Sequence, residues 1–197
     1  MVQTKIALAS TSPRRRELLE AVGFELVLLN PNVDETAIPG ESAQDLVSRL
    51  GREKALAVVD QTHLPIVAAD TVVEVEGMIL GKPQDINHAR EMLELLSGKE
   101  HRVLTGFGIF YRGKLQTDTI VTRIQFRSLS AQEIENYLTT REWEGKSGAC
   151  TLQGRSGPFV DKIQGSLTNV LGLPLKEVLD CLDRLVTPTG FEPVFTT

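Results

Sequence analysis

The stretch KIALASTSPRRRELLEAVG, residues 5–23, decides how the fold is read. Lys5 to Ala9 is a short apolar run that predicts a strand. Ser12 then stands at a helix N-cap with Pro13 at the first helical position, where its missing N–H is not needed and its fixed φ suits the turn. The predicted helix runs to about Val22, buries Leu18, Leu19 and Val22, and ends at Gly23. A strand leading straight into a helix is the opening unit of an α/β protein.

The alternation continues downstream. Phe24 to Leu29 is strand-like, and Ser42-Ala43-Gln44-Asp45 resembles a capping box ahead of Leu46, Val47, Leu50, Ala57 and Val58. Pro65 to Ala69 is a continuous apolar run, as in a strand buried on both faces, and it is expected to stop at Asp70-Thr71. Val72 to Val75 and Met78 to Leu80 flank Glu76-Gly77 as a tight hairpin; Arg102 to Tyr111 and Leu115 to Phe126 flank Arg112-Gly113-Lys114 as a second. Between the hairpins Asp85 caps a helix that ends before Gly98, with Ala89, Met92, Leu93 and Leu96 inside. Ser130-Ala131-Gln132-Glu133 is a full capping box for a helix through Leu138, and residues 144–157 read mainly as loop. A last helix follows Leu173-Pro174, with Leu175, Val178, Leu179 and Leu182 on its apolar face, and Thr187 to Thr197 reads as a loose tail. The predicted fold class is α/β, a mixed twisted sheet with flanking helices, in a single domain over residues 1–186.

Composition narrows the function classes. The 197 residues include 21 basic and 26 acidic side chains, a formal charge of −5, which disfavours an electrostatic nucleic-acid clamp. No apolar run approaches the roughly 18 residues of a membrane span, and the N-terminus lacks a signal-peptide core, so a cytoplasmic protein is expected. Cys150 and Cys181 are too few for a disulfide framework and show no zinc spacing. Walker, dinucleotide-loop and H-E-x-x-H signatures are missing, and His63, His88 and His101 have no evident nucleophile partner.

Four places carry possible chemistry. Ser10 to Arg16 joins hydroxyls, free helix N–H groups and guanidiniums at one turn, a phosphate site by its chemistry, although a capped helix whose arginines pair with Glu17 or Glu20 is the alternative. Basic residues in a first helical turn oppose the dipole unless an anion sits there. Asp70, where a buried strand is expected to emerge, can orient a metal or accept a proton, or can simply be a turn residue; Glu35 in its acidic loop is less decisive. Lys82, between Gly81 and Pro83, can neutralise a phosphate or be an ordinary surface lysine. Gly145-Lys146-Ser147-Gly148-Ala149 and Gln153-Gly154 let backbone approach a ligand, and the Gln153 amide can read a base edge; a glycine-rich connection is the alternative.

Taken in order, Ser10-x-Ser12-Pro13-Arg14-Arg15, Val33-Asp34-Glu35, Arg52-Glu53-Lys54-Ala55, Ala69-Asp70-Thr71-Val72-Val73, Gly81-Lys82-Pro83, Gly145-Lys146-Ser147-Gly148, Leu152-Gln153-Gly154, Gly165-Ser166, Asn169-Val170 and Gly172-Leu173-Pro174-Leu175 resemble the Maf family over nearly the whole chain. That resemblance implies an α/β fold of two lobes around a central cleft, related to the inosine triphosphatase fold. It implies hydrolysis of a nucleoside triphosphate to the monophosphate and pyrophosphate, a divalent cation (Mg²⁺ or Mn²⁺), and commonly a homodimer, with no nucleic-acid or membrane partner. Arg14, Thr71 and Gln153 match the branch that accepts dTTP and UTP; the 7-methyl-GTP branch has an aromatic residue, glutamine and glutamate there. Cys150 and Leu167 depart from positions where the family frequently has tyrosine.

The roles implied are Asp70 as general base, Glu35 and Asp70 as metal ligands, and Ser10, Arg14, Arg15, Lys54 and Lys82 as triphosphate ligands. Thr71 and Gln153 would sort bases. The rivals are a pyrophosphatase for 7-methyl-GTP or other modified nucleotides and a nonenzymatic nucleotide-binding regulator of cell division.

Overall fold

The computed structural model describes residues 4–186; the tail read at residues 187–197 lies outside the described residues. Seven strands form one mixed sheet: β1 (Lys5–Ala9), β2 (Glu25–Leu29), β3 (Ile66–Val75), β4 (Met78–Leu80), β5 (Glu100–Tyr111), β6 (Lys114–Phe126) and β7 (Val160–Gln164). Their order is β2-β1-β3-β5-β6-β7, with β4 also on β3. β1 is parallel to β2 and β3, and the remaining pairs are antiparallel. The helices are α1 (Pro13–Ala21), α2 (Ala43–Leu56), α3 (Ile86–Leu96), α4 (Ala131–Leu138), α5 (Leu167–Val170) and α6 (Leu175–Val186). Among the described residues, no helix is long and apolar enough to cross a membrane.

Local chemistry accounts for most of these boundaries. Ser42, Asp85 and Ser130 cap α2, α3 and α4 by accepting the N–H three residues on, and Ser130 with Glu133 completes the reciprocal box. Both hairpins close with two residues at positive φ, Glu76-Gly77 (51° and 79°) and Arg112-Gly113 (48° and 77°), the geometry that matches strand twist. Lys114, read as part of the second turn, is instead the first residue of β6.

The expectation that the strand stops at Asp70 is corrected: β3 runs unbroken to Val75. Antiparallel β5 pairs along it, Asp70 opposite Gly106 and Thr71 opposite Thr105. What stops is the neighbour on the other edge. β1 ends at Ala9, opposite Ala68, and β4 begins its pairing only at Val73, opposite Leu80. Residues 69–72 therefore face a gap in the sheet, which the β1–α1 turn and the segment after β4 border. An interrupted strand edge of this kind leaves backbone polar groups to be satisfied by other partners.

Helices cover both faces. On one, Val67 and Ala69 pack with Leu19 of α1 and Val178, Cys181 and Leu182 of α6, while Val73 and Val75 pack with α3 and α4. On the other, α2 lies over Ala7, Ala68, Val72 and Leu104. Contact between α2 and β5 is made through glycines. A Cβ on Gly51 would stand 2.7 Å from the Gly106 carbonyl, and one on Gly108 2.6 Å from the Gly51 carbonyl. Only hydrogen atoms fit between these backbones, which sets how close α2 lies to Asp70.

Several expectations are revised. α1 buries Leu19, but Val22 is 41% exposed and Arg15 takes a buried position. α2 ends at Leu56; Ala57 is exposed, while Val58 beyond the helix is fully buried. β7 was not anticipated because, as an edge strand with only Val160 partly buried, it lacks apolar alternation. The four-residue α5 is too short to show a helical period.

Candidate active site

A cavity of about 870 Å³ opens at the sheet gap, and Ser10, Arg14, Arg15, Glu35, Lys54, Asp70, Thr71, Lys82 and Gln153 all line it. These residues come from segments spread over more than 140 positions of sequence, and the fold brings them to one wall or another of the same space.

Lys54 is the centre of the acidic side. Its Nζ lies 2.5 Å from Glu35 Oε1 and 2.6 Å from Asp70 Oδ1, with the lysine residue only 5% exposed. An ammonium so far from water needs paired carboxylates, and two of them leave one net negative formal charge on the trio. Asp70 Oδ2 has no hydrogen-bond partner among the described residues. Burial disfavours the charged form of Glu35, but the hydrogen bond and charge of Lys54, with Lys82 and Arg15, outweigh it and hold its pKa below the ordinary value.

The loop bearing Glu35 is tied to the same helix as Lys54. Arg49 of α2 donates from Nε and a terminal nitrogen to the Glu41 carboxylate at 2.7 and 2.8 Å, and to the Thr36 carbonyl at 3.0 Å. Asp34 Oδ1 accepts the Thr36 N–H at 2.9 Å, closing a local turn around Glu35.

In the β1–α1 turn, Ser10 Oγ accepts the Ser12 N–H at 3.2 Å, whereas the Ser12 side chain, expected to cap α1, makes no capping bond. The first turn of α1 holds no acidic residue. Arg14 is half-buried there and makes neither hydrogen bond nor ion pair among the described residues; burial lowers its pKa against the attraction of Glu17, Tyr137, Cys150 and Glu142.

Arg15 is held by the protein itself. Its guanidinium donates to the Gly172 carbonyl (2.7 Å), Ser10 Oγ (3.2 Å), the Ala69 carbonyl (2.7 Å) and Thr71 Oγ1 (3.0 Å). Four of its five N–H donors are thus used by the protein, and it braces the open edge of β3. Thr71 is likewise committed: its hydroxyl bonds Arg15, Thr105 Oγ1 at 2.8 Å and the Gly172 carbonyl at 3.4 Å. Ser147 Oγ donates to the Thr71 carbonyl at 3.3 Å, so a second side chain stands in for the missing strand partner.

Lys82 is exposed and, like Arg14, has no hydrogen bond or ion pair among the described residues. Lys146 joins them and was missed as a site residue, although its Gly145-Lys146-Ser147 loop was singled out for backbone approach. It is half-buried, and burial together with the charges of Arg14 and Lys82 lowers its pKa despite Glu17. Arg14, Lys82 and Lys146 line one cavity, Lys146 feels the charge of the other two, and none of the three makes an ion pair among the described residues.

The inner wall is apolar: Val73, Val103, Ile124, Phe126 and Val170. His101 also lies here, 2% exposed and edge-on to Phe126 at 4.6 Å, with its pKa pushed down to about 4 mainly by burial. Burial pushes the Cys150 thiol up to about 12 against the nearby Arg14, which leaves it an inert wall residue. Gln153 is exposed on the turn at the rim. The cavity thus combines charged side chains with an apolar wall.

Comparison with known proteins agrees with the architecture. The family described as "Maf-like protein" matches residues 5–185. A protein of Chromobacterium violaceum named "dTTP/UTP pyrophosphatase" is 44% identical over 195 residues, 96% of each chain. One of the same name from Salmonella typhimurium is 45% identical over 183 residues, 92% of this chain and 93% of its own. Among solved structures, a HAM1 protein from Coxiella burnetii superposes with a TM-score of 0.50 at 15% identity, covering 92% of this chain and 100% of that one. This last likeness concerns the fold.

Proposed function

The chain belongs to the Maf-like protein family, and from that premise we propose that it is a nucleoside triphosphate pyrophosphatase acting on dTTP and UTP. The observation that carries the reading is the set Arg14, Lys82 and Lys146, three cations that make no ion pair among the described residues and line the same cavity as Lys54, Glu35 and Asp70. Cations gathered on one cavity without ion pairs give it a positive potential that attracts an anion, and a triphosphate has the charge to match three of them.

The donors fit a divalent cation that arrives with its substrate. Glu35 and Asp70 offer carboxylate oxygens, and no cluster of three or more His, Cys, Asp or Glu exists among the described residues, so phosphate oxygens would complete the shell as they do for Mg²⁺. When bound, the cation would add positive charge next to the phosphate oxygens. Asp70 accepts a proton from water through its uncommitted oxygen as the water oxygen bonds to the α-phosphorus. The bridging P–O bond breaks, and its electron pair leaves on pyrophosphate. Lys82, Lys146 and Arg14 stabilise that charge, and their placement before substrate arrives is the main source of rate in phosphoryl chemistry. Lys54 holds Asp70 and Glu35 in position. The base lies against Val103, Ile124 and Phe126 with its polar edge toward Gln153.

Pyrophosphate release measured with dTTP, UTP, CTP and 7-methyl-GTP tests the proposal. dTTP and UTP are expected to lead by at least tenfold in kcat/KM. A lead for 7-methyl-GTP would transfer the chain to the other substrate class, and no release from any of them would favour a binding protein. Arg14→Ala is expected to raise KM for UTP about tenfold with a smaller change in kcat, because it removes a group that binds substrate before the transition state. An unchanged KM and unchanged selectivity would remove Arg14 from the site.

A further inference from the structure

The turn that carries Gln153 is held at its base and at its tip by different groups. At the base, Ser156 Oγ accepts the Thr151 N–H at 3.1 Å and donates to the Thr151 carbonyl. At the tip, the backbone N–H of Arg155 donates to Glu142 Oε2 at 2.8 Å, across 13 residues of sequence. Gly154 permits this approach. Its φ is +137°, and a Cβ there would collide with the Glu142 carboxylate, standing 3.1 Å from Cδ. Glu142 is itself seated, its own N–H donating to Thr140 Oγ1 at 3.2 Å. The Gln153 side chain makes no hydrogen bond of its own among the described residues. The backbone on either side therefore sets the point from which it reaches into the cavity.

We propose that Glu142 is a positioning residue for nucleotide selectivity, fixing the Gln153 turn through the Arg155 amide so that the Gln153 amide meets the base edge in one register. The inference rests on the reading of Gln153 as the group that meets the base. A side-chain amide discriminates O4 of uracil from the 4-amino group of cytosine only when its donor and acceptor are held in one orientation. A turn free to shift by about an ångström would offer either end to either base. Glu142 is then needed as an acceptor of the right length, more than as a charge.

Two substitutions separate those properties. Glu142→Gln keeps an acceptor oxygen at the same reach without the charge, and Glu142→Asp keeps the charge but falls one methylene short of the Arg155 amide. The ratio of kcat/KM for UTP over CTP is read in the full-length protein for the parent, both variants, Gln153→Ala and the Glu142→Asp/Gln153→Ala double. Glu142→Asp is expected to lower the ratio about tenfold, Gln153→Ala equally, and the double no further than either; Glu142→Gln stays within about twofold of the parent. Amide hydrogen exchange at Arg155 is expected to speed up in Glu142→Asp and not in Glu142→Gln. If Gln153→Ala lowers the ratio while Glu142→Asp leaves it intact, or if Glu142→Gln lowers it as far as Glu142→Asp, the inference is overturned alone. A Gln153→Ala protein of parental selectivity overturns the reading of Gln153, and this inference with it.

Discussion

Asp70→Asn is expected to fold as the parent does and to lose about a thousandfold or more in kcat. Asparagine has the same shape and keeps an oxygen that can accept from Lys54 Nζ, now at 2.6 Å from Asp70, while Glu35 still pairs with that ammonium at 2.5 Å. The pairing of β3 with β5 through Asp70 and Gly106 is a backbone matter and is untouched. What disappears is the oxygen that takes a proton from water, together with the net negative charge that the Lys54 trio offers a cation. Thermal melting within a few degrees of the parent, with turnover nearly abolished, is the expected pair of results. Turnover within tenfold of the parent would remove Asp70 from the base role.

Gly106→Ala is expected to destabilise the protein by about 3 kcal/mol or more, because its Cβ would overlap the Val47 carbonyl and stand 2.7 Å from the Ser48 nitrogen. Both obstacles are backbone, so no side chain can rotate away. Relief requires α2 to move off β5, and α2 carries Lys54. The melting temperature should therefore fall by roughly 6–12 °C, and kcat should fall too in the fraction that remains folded, since the Lys54 contacts with Asp70 and Glu35 depend on that spacing. A melting temperature within about 2 °C of the parent, with full activity, would show that the glycine contact does not set the helix position.

How much of this was legible in the sequence depends on whether local chemistry or a distant partner decided the outcome. Capping residues and the two Gly-containing turns announce themselves, because the groups they satisfy lie within three or four residues. The continuation of β3 through Asp70-Thr71 was hidden, since two polar residues read as a strand end until Lys54 and Thr105 are seen to satisfy their side chains. The burial of Arg15 was hidden among three consecutive arginines, yet a signal existed. It lies four residues before Leu19, on the same helical face, and that face is buried. Lys146 was overlooked because its glycine-flanked loop suggested close backbone approach, and only the shared cavity reveals that its charge faces Arg14 and Lys82. The convergence of Ser10, Glu35, Lys54, Asp70 and Lys82 on one space was expected only from the resemblance to the Maf family that the order of motifs carries, since no single window contains it.

Phosphorus NMR of UTP turnover by the full-length protein with Mg²⁺ examines the core of the account, because it identifies which anhydride bond breaks. UMP and inorganic pyrophosphate in equal amounts, with none formed when a chelator is present, is the predicted outcome. UDP with orthophosphate, or intact UTP after many enzyme equivalents of time, would contradict it.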